Sequence, residues 1–77
     1  MPSLRDKFGQ RIRAIRLEIK MSQEQFAALL DISVHFLSLI ERGVNAPSFE
    51  DLDVFSTKLG LPLSELFTFG GKDSSQE

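Results

Sequence analysis

The 77-residue sequence contains no cysteine, which excludes disulfides, zinc–thiolate sites and thiol nucleophiles and leaves its redox compartment without a signal. It has a single histidine, His35, and no second imidazole or thiol to complete a metal or catalytic cluster around it. No apolar run reaches the length of a membrane span or a signal-peptide core, and the amphipathic N-terminal stretch is regularly interrupted by Arg and Lys. The expected setting is therefore the cytoplasm, away from membranes. Strand-like alternation and internal repeats are also missing. With no nucleophile–base pair and no ligand cluster, the sequence argues against an enzyme and calls for no metal and no cofactor.

What is present is an ordinary globular balance, 42% hydrophobic and 26% charged residues, in a chain that accommodates one domain and one modest core. Stability must then come from packing or from dimerisation. The net charge of −2 conceals a segregation. Residues 1–47 carry seven Lys or Arg against five Asp or Glu, whereas residues 48–77 carry two against six. A basic first half suits a polyanion, although a solvated basic helix has the same charge pattern.

Phe8, Ile12, Ile15 and Ile19 recur at helical steps and predict a helix from Leu4 to about Ile19, with Arg5, Arg11, Arg13 and Arg16 on its other face. Ser22 and Gln25 form a capping box that starts a second helix at Gln23. That helix runs to Leu30, where Asp31 can adopt the left-handed turn conformation. Ser33 caps a third helix ending at Arg42, with Gly43 just beyond. Ser48 caps a fourth, with Glu50 and Asp51 in its positive first turn and Phe49, Leu52, Phe55 and Leu59 as its apolar stripe. Gly60 ends it, and Pro62 opens a short fifth helix carrying Leu63, Leu66 and Phe67. Residues 1–69 form the expected domain. The Gly-, Ser- and charge-rich tail from Gly70 to Glu77 is expected to be disordered.

Two short helices joined by a three-residue turn cross steeply only if particular positions are small or apolar. Ala27 is small where the third helix must approach, and Phe26, Leu30, Ile32, Leu37 and Ile40 fall where the pair must face a core. Leu17, Leu29 and Val54 are expected to face outward. This packing leaves Val34, His35, Ser38 and Leu39 on an outer edge whose width suits the major groove of B-DNA.

Through IRAIR (Ile12–Arg16), SQEQFA (Ser22–Ala27), IERG (Ile40–Gly43) and APS (Ala46–Ser48), the chain resembles the lambda-repressor/Cro-like (XRE) helix-turn-helix regulators. The resemblance spans roughly Phe8 to Phe67, with Gln23–Arg42 as the helix-turn-helix. Each piece is weak alone; their order and spacing through Leu59–Leu61 make the combination specific. Among stand-alone members of this size, the chain is similar to restriction-modification controller proteins and small phage repressors. The resemblance implies an all-α, compact five-helix domain that binds double-stranded DNA, usually as a homodimer on a palindromic operator.

Carried over by residue, Gln23, Arg42 and Asn45 match phosphate-contacting positions, and Ser33, Val34, His35, Ser38 and Leu39 match the groove-facing ones. For His35 three readings compete: base or phosphate contact, a solvated bystander, and a metal ligand or catalytic base, the last disfavoured because no Cys or second His completes a site. Arg16 and Glu41 match a pair that ties the first helix to the third, against the plainer reading of Arg16 as a surface arginine. Leu61, Leu63, Phe67 and Phe69 are expected at a dimer contact, unless they close the monomer's own core. Lys20 and Asp31 stand where the family often has Gly, so the turn at Lys20 is expected to be strained or differently closed. Val44, Asn45 and Ala46 supply no charge to a loop that is often basic, which implies few phosphate contacts. A groove face short of Arg, Asn and Gln further suggests thymine-methyl contacts and reading of DNA shape. The expected function is a repressor or autoregulating switch controlled by its own concentration. The alternative is an antitoxin-like protein whose main partner is another protein.

Overall fold

A computed structural model describes residues 2–69, and among them the regular structure is five helices with no strand. The expected tail from Gly70 onward lies outside the described residues. The helices are α1 (Leu4–Glu18), α2 (Gln23–Leu30), α3 (Val34–Glu41), α4 (Phe49–Leu59) and α5 (Leu63–Leu66). α3 packs on α1 and α2, α4 rests on α2, and α5 closes against α4 and α1.

Serine starts four of the five helices. Ser22 Oγ accepts from the Gln25 N–H while the Gln25 side chain accepts from the Ser22 N–H, closing the box read from the sequence. Ser48 and Asp51 form a second such box, and Ser3 with Asp6 a third that periodicity alone did not reveal. Ser33 accepts from the Phe36 N–H at 2.9 Å. Pro62 is the N-cap of α5 rather than its first residue, so this helix begins one position later than expected.

The first four helices all end in the same two-bond turn, in which a left-handed residue lets the chain double back onto the last carbonyls. At α1 the Met21 N–H reaches Arg16 O and the Lys20 N–H reaches Leu17 O. Equivalent pairs of bonds follow Asp31, Gly43 and Gly60. The turn after α1 is thus closed in the regular way, but by a lysine at φ 61°. A side chain there costs on the order of 1 kcal/mol, a cost that glycine at Gly43 and Gly60 avoids.

Phe8, Ile12 and Ile15 of α1, Phe26, Ala27 and Leu30 of α2, Leu37 and Ile40 of α3, Phe55 of α4 and Leu66 of α5 form the core. Ala27 is the buried small residue between α2 and α3, and Ile32 packs half-buried against the same cluster. Several expectations are corrected. Ile19 lies beyond the end of α1, at the turn, and is exposed instead of completing the buried stripe. Phe49 is 85% exposed at a groove it lines with Leu4, Phe8 and Phe67, and the stripe is left to Leu52, Phe55 and Leu59. Leu29 packs against the core rather than facing out, while Leu17 and Val54 are exposed. Arg16 is buried, not on the solvent face of α1.

Candidate nucleic-acid interface

The geometry of α3 follows from what its inner side must do. Leu37 and Ile40 are fully buried, which commits one edge of this eight-residue helix to the core and turns the opposite edge out. Ser33, Val34 and His35 are exposed at the N-terminal end of that edge, and Ser38 and Leu39 are half-buried along it. Arg42 follows as an exposed C-cap residue, and Val44, Asn45 and Ala46 continue as an exposed, uncharged loop. Helical spacing puts Val34, His35, Ser38 and Leu39 on the side of α3 opposite Leu37 and Ile40, and the Asn45 N–H returns to the Leu39 carbonyl at 3.2 Å.

Two close approaches fix where this edge sits. Gly9 lies under the C-terminal turn of α3, and a Cβ built there would collide with the Ile40 carbonyl oxygen. Gly43, at φ 75°, lies against the Asp6 side chain. α1 thus supports the end of α3 across Gly9, where a side chain would meet backbone, whereas at Gly43 the positive φ is what disfavours one. Sequence periodicity gave Gly9 no role; its one signal was a glycine interrupting a helical stretch.

The second fixture is ionic. Arg16 Nε donates to Glu41 Oε2 at 2.7 Å, and its Nη2 donates to Oε1 at 3.0 Å. Its Nη1 donates to the Met21 carbonyl in the turn after α1. The side chains of Arg16 and Glu41 are only 10% and 4% exposed. Paired guanidinium and carboxylate charges at this depth have all their hydrogen bonds satisfied, the condition under which a buried pair is tolerated. The hydrogen bond to Glu41 raises the Arg16 pKa, burial opposes it, and the charge attraction adds to the rise. Stability from a raised pKa is present below the unfolded value and lost as pH rises through the folded one. For an arginine that window lies beyond about pH 12, so Arg16 adds no pH dependence near neutrality.

Gln23, the first residue of α2, joins the same cluster, its Nε2 donating to Glu41 Oε1 at 3.1 Å. It is half-buried, at the edge of the α3 face rather than apart from it. Arg11, read from the sequence as part of a free basic face, instead donates from Nε to the Glu65 carbonyl at 2.8 Å and pairs with the Glu65 carboxylate at 3.2 Å. The two residues are 54 positions apart, beyond the reach of any local pattern.

Away from α3, the Phe67 ring packs on Phe8 with centroids 5.1 Å apart, and Phe69 meets Phe67 edge-on at 5.9 Å. Phe67 and Leu63 remain 38% and 44% exposed, whereas Leu61 and Phe69 are half-buried against the core. These residues close part of the monomer's own core and also leave apolar surface uncovered. Among the described residues, no helix is long and apolar enough to cross a membrane, and no cluster of His, Asp or Glu is placed to hold a metal ion.

The sequence and the fold are both shared with known proteins. A helix-turn-helix family model matches residues 12–66. The chain is 38% identical over 69 residues to the control protein C.MunI of a Mycoplasma species, a match covering 88% of this chain and 93% of C.MunI. It is 40% identical over 58 residues to the immunity repressor protein of Bacillus phage phi105, covering 75% of this chain and 40% of the repressor. Its fold superposes on the restriction-modification controller protein C.AhdI from Aeromonas hydrophila with a TM-score of 0.76 and 33% identity, over 82% of this chain and 96% of that one. By sequence and by fold, the chain belongs to the helix-turn-helix family of XRE type.

Proposed function

We infer that this DNA-binding transcription regulator acts in the cytoplasm as a homodimeric repressor or autoregulating switch, placing one α3 in each of two major-groove half-sites. The observation that carries the reading is the division of α3. Leu37 and Ile40 anchor one edge, and Val34, His35, Ser38 and Leu39 lie along the other. In this reading Ser33, Val34, His35, Ser38 and Leu39 meet base edges, with Val34 and Leu39 suited to thymine methyl groups. Gln23, Arg42 and Asn45 meet phosphates and set the register. Leu61, Leu63, Phe67 and Phe69 contribute to the contact between copies, which doubles a footprint too small for one subunit to bind tightly.

The test is an electrophoretic shift titration on the chain's own upstream promoter, repeated from about 50 to 200 mM salt. The expected result is sequence-selective binding with a shallow salt dependence, because the loop after α3 carries no charge. His35→Ala and Ser38→Ala should change which base is preferred, and Arg42→Ala should weaken every site alike. Binding indifferent to sequence would remove this function.

A further inference from the structure

Glu41 is the one carboxylate shared by three parts of the motif. It ends α3, accepts both prongs of Arg16 from α1, and accepts the side-chain amide of Gln23 from the start of α2. An ionised carboxylate only accepts hydrogen bonds, so the end of the Gln23 amide facing it must be Nε2, as it is at 3.1 Å. That fixes an otherwise rotatable group. One Nε2 hydrogen is occupied by Glu41, and the second is left for another acceptor. Arg16 meanwhile neutralises Glu41, which would otherwise be a like charge beside a phosphate.

We propose that Glu41 is a positioning residue for DNA binding: it orients the Gln23 amide so that its second Nε2 hydrogen is presented to a backbone phosphate, with Arg16 neutralising the carboxylate that does so. This rests on the reading that Gln23 meets a phosphate. The arrangement sets the donor's direction before DNA arrives, so docking loses little side-chain freedom at that contact. It also joins the phosphate contact to the end of α3, so the register of the backbone and the position of the base-facing edge are set by one group.

The test is a double-mutant cycle on promoter affinity with the full chain. Gln23→Ala is measured in the native background and in an Arg16→Met/Glu41→Leu background, where apolar side chains replace the buried pair and thermal melting verifies folding. Gln23→Ala should weaken binding roughly tenfold natively, the size of a hydrogen bond to a charged group, and less than about twofold in the second background. An equal loss in both would overturn the positioning role while leaving the phosphate contact intact. No loss in either would overturn both. Side-chain amide NMR of the native chain provides an independent measurement. On addition of promoter DNA, the Gln23 proton facing Glu41 should keep its shift while its partner moves, and rotation of the amide off Glu41 would contradict the proposal.

Discussion

The three helices up to Glu41 and the two that follow are built differently. α1, α2 and α3 contribute eight of the ten core residues, whereas α4 and α5 contribute only Phe55 and Leu66. In the first part the motif is locked by the Arg16–Glu41 pair, by the approach at Gly9 and by Gln23. Large apolar side chains stay exposed in both parts, Leu4, Leu17, Ile19 and Val34 in the first and Phe49, Val54, Leu63 and Phe67 in the second. The first part builds most of the packing around the α3 edge, and the second adds one buried side chain from each of its helices to close it. Charge follows the same division, since α4 carries Glu50, Asp51 and Asp53 against one Lys58.

The largest expected effect breaks the first part. Phe26→Ala removes a fully buried ring and should destabilise the fold by about 3–5 kcal/mol in chemical denaturation, enough to unfold a domain of this size. Close behind, Glu41→Ala leaves a buried guanidinium unpaired and should cost about 3 kcal/mol, whereas the Arg16→Met/Glu41→Leu exchange should melt within about 1 kcal/mol of the native chain. If the two variants melt alike, the pair is not what locks α1 to α3.

A smaller effect sharpens the other side of the comparison. Phe67→Ser removes a partly exposed ring and should cost about 1–2 kcal/mol while shifting sedimentation toward monomer. A dimer unchanged by this substitution would place the contact between copies elsewhere. The smallest effect is a gain. Lys20→Gly relieves the left-handed turn after α1 and should raise stability by up to about 1 kcal/mol in thermal melts. No gain would mean that the lysine side chain contributes an interaction offsetting its backbone cost.

Much of the first part is legible in the chain because its determinants are local. Ser22 with Gln25, Asp31 at the turn, and the spacing of Phe26, Leu30, Leu37 and Ile40 specify two helices and the face they share. What escaped local reading depends on distant partners. Arg11 appears free until Glu65, 54 residues later, is brought beside it. Gly9 appears a mere interruption until the Ile40 carbonyl is seen against it. Ile19 and Phe49 continue their stripes in sequence but not in space: the chain turns at one, and the other is exposed at a groove. The α3 face was readable as a surface for the converse reason: its outward edge follows from burying Leu37 and Ile40. Which bases it meets depends on the DNA as well as on the chain.

In the function proposed above, α3 of each subunit enters one of two half-sites while α4 and α5 join the subunits. Hydroxyl-radical footprinting on the chain's own promoter tests it most directly. Two protected patches are expected on one side of the duplex, with centres about 10 base pairs or a whole multiple of that apart. A single patch, or uniform protection without a two-fold pattern, would contradict it.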